Sequence, residues 1–379
     1  MQRKIRLLIV DDSALVRQVL GAIFGATADI EVVGVAHDPY MARDKIKQLR
    51  PDVLTLDVEM PRMDGVTFLG NLMRLRPMPV VMVSSLTEQG ADVTLRALEF
   101  GAVDFVAKPK VDVAEGLQEY ADEIVAKVRA AAGARVRPLE TGAARAMVPD
   151  KLTADAVLQA RGAPRHFLTT DKVIGIGAST GGTEAIKDVL AALPPDMPGI
   201  VVSQHIPVAF SAAFARRVDS VSALTVVQAV DGQQVLPGHA YIAPGDRHLL
   251  VVRDGARYLC RLNDGPPVNR HKPSVDVMMR SLAQNAGPNA VGLMLTGMGA
   301  DGAAGMGEMR AAGAAILVQD EKTSVVWGMP GEVVKRGYAD QVLPLGKIPA
   351  ALRQAAFGRG AAGAANGTAT VQESVPVGR

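Results

Sequence analysis

Only one cysteine, Cys260, stands in 379 residues. That scarcity excludes an intramolecular disulfide framework and a cysteine-based zinc site. Aromatic residues are also few, at 4%, so the cores must rest on Val, Leu, Ile, Met and Ala. An excess of charge is missing as well: 41 basic against 39 acidic residues leave a formal charge of +2. A dedicated nucleic-acid binder would carry a strong basic excess, so nucleic acid is not an expected partner. Near the start, the apolar run before Asp11 and Asp12 is only Leu7 to Val10. A secretory signal needs roughly twice that and a membrane span about 20 residues, so no membrane insertion is expected and a cytoplasmic protein is. What is present is globular in kind, with 48% apolar and 21% charged residues. The length suggests two domains at roughly 150 residues each.

The first 130 residues alternate β-rich runs with helical patterns. Ile5–Val10, Glu31–Ala36, Val53–Leu56, Val80–Ser84 and Phe105–Ala107 read as five strands. Ser13 is a plausible cap for a helix with Leu15, Val19 and Ile23 on one side, and further helices are expected over Tyr40–Arg50, Val66–Arg76 and Val93–Phe100. Such alternation predicts an α/β fold with a parallel, doubly wound sheet. From 131 to 170 the pattern dissolves into an Ala-, Arg-, Gly- and Pro-rich linker, with one helix expected near Thr153–Ala160. Periodicity resumes at Val173 and a second α/β domain is expected over 171–356, with the Gly/Ala/Thr-rich stretch 357–379 reading as a disordered tail.

In the first domain Asp11 and Asp12 follow strand one, Asp57 ends strand three, Ser84 strand four, and Lys108, before Pro109, strand five. The carboxyl ends of parallel strands share one sheet edge, so these residues are expected to face one another. Three crowded carboxylates repel, and a hard divalent cation such as Mg²⁺ relieves that repulsion. One carboxylate can then attack a phosphoryl donor and become an acyl phosphate, with Lys108 and Ser84 on the transferred oxygens. Val10-Asp11-Asp12-Ser13, the run Leu56 to Gly65 and Lys108-Pro109 resemble, in order and spacing, the receiver domains of two-component response regulators over roughly residues 4–128. The resemblance implies a flavodoxin-like fold, Asp57 as phospho-acceptor, a metal site at Asp11, Asp12 and Asp57, and a histidine kinase as donor. Phe105 sits where that family keeps an aromatic switch residue.

The second domain opens on Val173-Ile174-Gly175-Ile176-Gly177-Ala178-Ser179-Thr180-Gly181-Gly182. Read as a dinucleotide fingerprint, its third glycine is late, and the next strand, Ile200–Gln204, ends in His205 rather than in the acid that binds ribose. Read as G-x-S-x-G, it sets Ser179 on a sharp strand-to-helix turn beside the unpaired N–H groups of a helix start. A serine there also serves as a plain helix cap. His205 ends the neighbouring strand and so lies on the same edge as Ser179; His248 and His271 are the rival bases, without that geometric warrant. Asp301 follows another strand end at that edge, while Asp246 and Asp264 stay open as competing acids. Cys260, in an apparent strand with no glycine turn, is a poor rival nucleophile.

The runs Gly177 to Ala185, Gln204 to Pro207, Pro244 to His248, Pro266 to His271 and Thr296 to Gly302 extend the resemblance to the chemotaxis-receptor protein-glutamate methylesterases, over about residues 4–355. That resemblance implies a Rossmann-like hydrolase domain, a Ser179–His205–Asp301 triad, and no cofactor for the ester cleavage. It also implies methyl-accepting chemotaxis receptors as substrate, with removal of glutamate methyl esters as methanol and deamidation of certain glutamines. A chemotaxis histidine kinase is the implied phosphoryl donor, and the receiver is expected to gate the hydrolase. The long basic linker and extended tail depart from the family pattern. The competing reading is a response regulator with a non-enzymatic, binding output domain.

Overall fold

The computed structural model describes residues 3–61, 63–84, 88–108, 117–134, 154–158 and 171–358. Arg62, Pro109, most of the basic linker and the stretch 359–379 expected to be a tail lie outside them. The first unit runs β1 (Ile5–Val10), α1 (Ala14–Gly25), β2 (Ile30–Ala36), α2 (Pro39–Leu49), β3 (Val53–Asp57), α3 (Gly65–Leu75), β4 (Val80–Ser84), α4 (Glu88–Glu99), β5 (Asp104–Ala107) and α5 (Leu117–Ala132). Its sheet has the order β2-β1-β3-β4-β5, parallel at every described pairing. β3 and β4 are buried along their whole length, which is why they read as unbroken apolar runs: helices cover both faces.

The helix starts are written locally. Ser13 accepts from Val16 N and caps α1; Asp38 accepts from Met41 N and caps α2, with Pro39 in the first turn. The expected α1 stripe is corrected. Val16, Leu20 and Phe24 are the buried residues, and Leu15 is 49% exposed. Two adjacent stripes share the same spacing of four, and only packing on β1 chooses between them.

The second unit runs β6 (Val173–Ala178), α6 (Gly182–Ala191), β7 (Gly199–Gln204), α7 (Val208–Asp219), β8 (Thr225–Gln228), β9 (His239–Ile242), β10 (His248–Asp254), β11 (Arg257–Asn263), α8 (Val275–Asn285), β12 (Ala290–Met294), α9 (Ala303–Ala311), β13 (Ala315–Gln319), α10 (Met329–Lys335), β14 (Gln341–Leu343) and α11 (Ile348–Phe357). Seven parallel strands take the order β14-β13-β12-β6-β7-β9-β8, and β10–β11 form a separate antiparallel hairpin. The chain starts in the middle at β6, moves out through β7, then returns to the other side at β12. The crevice between β6 and β12 is therefore a topological switch point, where such sheets bind ligands.

The helix expected at Thr153–Ala160 is a single 3₁₀ turn, Ala154–Ala156. It is docked rather than free: Ala154 packs with Leu250, Val268 and Val277, and Arg280 donates to Asp155 and to Leu158 O.

Candidate active site

The first unit gathers its acids where β1 and β3 part. Asp11 and Asp57 are 1% and 0% exposed, while Asp12 faces solvent. One oxygen from each of the three lies within 4.8 Å of the others. Lys108 Nζ donates to Asp57 Oδ2 at 2.7 Å and stands 3.7 Å from Asp11 Oδ2. Glu59 N donates to Asp57 Oδ1 at 3.1 Å and Ser13 N to Asp11 Oδ1 at 2.8 Å. Asp11 Oδ2 is buried and accepts no hydrogen bond. Burial pushes Asp57 up to about 7 against the pull of Lys108, with the Asp11 charge adding to the rise; Asp11 is raised by burial too. An orphaned, buried carboxylate oxygen in an all-oxygen set fits a hard divalent cation. Ser84 ends β4 fully buried and accepts from Thr94 Oγ1 of α4 at 2.7 Å.

In the second unit Ser179 follows β6 and is half-buried. The turn that carries it closes through Gly181, at φ 75°, and by Gly182 N donating to Ser179 O at 2.7 Å. A side chain at Gly181 would meet Val325 at 2.6 Å, so the position is closed to other residues by both conformation and space. Ser179 N donates to Thr296 O at 3.0 Å, tying the turn to the exit of β12. Gln204 Nε2 donates to Ser179 O at 2.9 Å and to His205 O at 3.1 Å, so the ends of β6 and β7 are held together.

His205 Nε2 donates to Asp301 Oδ2 at 2.8 Å, and Nδ1 is buried with no hydrogen-bond partner. Nδ1 is thus the ring nitrogen left to take a proton, the reverse of the ring use in the serine-protease template. Asp301 is 1% exposed and saturated with donors: Val275 N at 2.7 Å on Oδ2, Ser274 Oγ at 2.8 Å and Asn269 Nδ2 at 2.7 Å on Oδ1. It sits at the amino end of α8, whose dipole favours an anion. Burial alone would raise its pKa. The bond and charge of His205, the charge of His271 and the Asn269 bond outweigh that and hold the carboxyl below the usual range.

The rival residues stand elsewhere or do other work. His248 is fully buried, its Nε2 donating to Pro266 O at 3.0 Å and its Nδ1 accepting from Ser274 N at 3.1 Å. Burial holds it below the usual histidine value, so it is a neutral structural ring. Asp246 is exposed, and Asp264 pairs with Arg247 at the surface. Cys260 is buried in β11 and its thiol is pushed up to about 12 by burial, which removes the thiolate a nucleophile needs. Sequence reasoning missed Asn269, Ser274 and Asp276 around Asp301. The one available signal was Asn269 in a polar loop, a residue type that tolerates left-handed turns.

The two units meet at this site. Thr180 Oγ1, next to Ser179, donates to Asp104 Oδ2 of β5 at 2.6 Å. Phe105 of β5 and Phe210 of α7 have ring centroids 4.5 Å apart, and Arg217 of α7 donates to Leu95 O of α4.

Fold and site together define a two-unit α/β protein, a receiver-type acidic pocket joined to a domain with a serine, a histidine and an aspartate on one sheet edge. A family model described as CheB methylesterase matches residues 174–352, and a response regulator receiver domain model matches 7–120. A protein-glutamate methylesterase/protein-glutamine glutaminase of Hydrogenovibrio crunogenus is 58% identical over 365 residues, covering 91% of this chain and 97% of that one. A relative of the same name in Geobacter metallireducens is 60% identical over 345 residues, with 91% and 94% covered. The crystal structure of the Thermotoga maritima CheB methylesterase catalytic domain aligns at 40% identity over 48% of this chain and 96% of that one, with a TM-score of 0.47. The chain belongs to the CheB methylesterase family, in the form that carries a receiver domain. These relatives are enzymes by name and lend nothing to a non-enzymatic output domain. Among the described residues no helix is long and apolar enough to cross a membrane.

Proposed function

We propose that this protein hydrolyses glutamate methyl esters of chemotaxis receptors to carboxylate and methanol, deamidates receptor glutamines, and is regulated by phosphorylation of Asp57. The observation that carries the reading is the 2.8 Å bond from His205 to a donor-saturated Asp301, on the strand edge beside Ser179. His205 Nδ1 takes the Ser179 hydroxyl proton as Oγ attacks the ester carbonyl. The imidazolium is stabilised by ionised Asp301 and returns the proton to the leaving methoxide. Water then attacks the acyl-serine by the same route and releases the glutamate carboxylate. A glutamine amide enters the same path and loses ammonia. No cofactor is needed.

In the receiver, a phosphoryl group from a chemotaxis histidine kinase passes to an Asp57 oxygen, forming an acyl phosphate. Asp11, Asp12 and Asp57 would hold Mg²⁺, which supplies positive charge against the carboxylates and the phosphoryl oxygens. Lys108 and Ser84 contact the transferred group. Residues 1–130 make up the receiver, 131–170 the linker and 171–356 the esterase.

Ser179→Ala should abolish methanol release from methylated receptor membranes while Asp57 phosphorylation continues, since the two chemistries use separate sites. His205→Gln should be similarly severe. Wild-type turnover in Ser179→Ala would reject the triad.

A further inference from the structure

Between β11 and α8 the chain makes a tight turn, Val268-Asn269-Arg270-His271. It is closed by Val268 N donating to His271 O at 3.0 Å and His271 N to Val268 O at 2.9 Å. Both central residues are non-glycine and left-handed, Asn269 at φ 52° and Arg270 at φ 71°. Residues held in that region persist only where their surroundings dictate it, and they gather at functional sites. Here the surroundings are visible. Val268 is fully buried against Leu250, Val277 and the docked Ala154, which anchors the turn at its base.

The turn aims two side chains at two members of the site. Asn269 Nδ2 donates at 2.7 Å to Asp301 Oδ1 and at 2.7 Å to Asp276 Oδ2, bridging two buried carboxylates. The His271 ring lies flat on His205, centroids 3.6 Å apart and planes 14° from parallel. A stacked ring leaves the His205 imidazole free to exchange protons at its edge but blocks rotation out of plane. With Nε2 already bound to Asp301, that restraint keeps the orphan Nδ1 pointed one way.

We propose that this turn is the positioning element of the triad, with Asn269 fixing the acid and His271 fixing the ring of the base. The inference rests on the Ser179–His205–Asp301 reading and extends it to two residues that act through Asp301 and His205. Both are positioning residues.

The test uses the full-length chain and methylated receptor membranes, with kcat and KM measured separately. His271→Ala should lower kcat on the order of 10- to 100-fold, the usual cost of a loosened catalytic group, and leave KM within about twofold. His271→Phe restores a flat ring at the same place and should recover most of kcat. Asn269→Gly keeps the left-handed backbone, removes only the amide, and should lower kcat by a similar factor. Wild-type kcat in His271→Ala, or a His271→Phe protein as slow as His271→Ala, overturns the role of the stacked ring; wild-type kcat in Asn269→Gly overturns that of the amide. Ser179→Ala separates the two levels. If it is inert while both turn variants run at the wild-type rate, the triad stands and the turn proposal falls. If it stays active, the triad itself is wrong.

Discussion

At the scale of single residues, burial decides what the carboxylates do. Asp57 is raised from the ordinary 3.8 to about 7, so the folded protein binds its proton more tightly than the unfolded chain does. The stability this contributes is complete below about pH 4 and is lost as pH rises through 7. In metal-free protein, Asp57→Asn should therefore show a shallower fall in thermal stability between about pH 5 and 8 than wild type. Asp276, also raised to about 7 by burial and the Asp301 charge, leaves a residual slope in both. Equal slopes would mean that Asp57 carries no such penalty. The same variant should take up no phosphoryl group. Asp301 illustrates the opposite outcome of burial: five donors, the weakest Asp276 N at 3.3 Å, hold its carboxyl below the usual range, while Asp276 is raised to about 7.

At the scale of elements, the approach of α3 to β3 decides the shape of the acidic pocket around Asp57. Gly65 starts α3 so close to the strand that a Cβ there would lie 1.9 Å from Asp57 O. Gly65→Ala should destabilise the receiver by about 1–3 kcal/mol and slow Asp57 phosphorylation, because the carbonyl that must move belongs to Asp57 itself. Gly70→Ala is the control. It lies within α3 with its nearest foreign atom 3.7 Å away at Phe100, and alanine favours a helix. It should be neutral or slightly stabilising in urea unfolding, and equal losses at the two positions would reject the steric argument. Elements were unevenly legible. β1, β4 and the glycine-flanked turn at Ser179 could be placed from their residues because long buried strands and forced turns leave composition marks. The three-residue β14 and the four-residue β8 and β9 left none, and in α1 the spacing of Leu15, Val19 and Ile23 did not reveal that Val16, Leu20 and Phe24 are the buried residues.

At the scale of the whole molecule, the receiver's β5 and α4 rest on α7 and on the turn beside Ser179. Asp104 carries a polar contact between the units and is shared between Thr180 and Lys127. Within-chain interfaces are modest, and tethering makes a weak contact effective. Asp104→Ala should raise methanol release by the unphosphorylated chain severalfold and shrink the further gain on phosphorylation. No change in the unphosphorylated rate would mean that docking at β5 does not restrain the esterase, and that phosphorylation stimulates it by another route.

Much of the site was written along the chain, because parallel strands deliver their carboxyl ends to one edge whatever lies between them. Strand order put Asp11, Asp57 and Lys108 on one edge, and Ser179 with His205 on another; Asp301 was one of three acids it left open, and the family resemblance pointed to it. What residue order could not carry was the side-chain environment at that edge. Which nitrogen of His205 meets Asp301, the amino end of α8 beneath that carboxylate, and the stacking of His271 all depend on segments far apart in sequence. The same holds for the pairing of Phe105 with Phe210 across the two units. Periodicity records which face of an element is buried, and a turn motif records where the backbone must bend. Neither records which distant side chain fills the remaining space, and in this protein that space holds the donors around Asp301 and the ring stacked on His205.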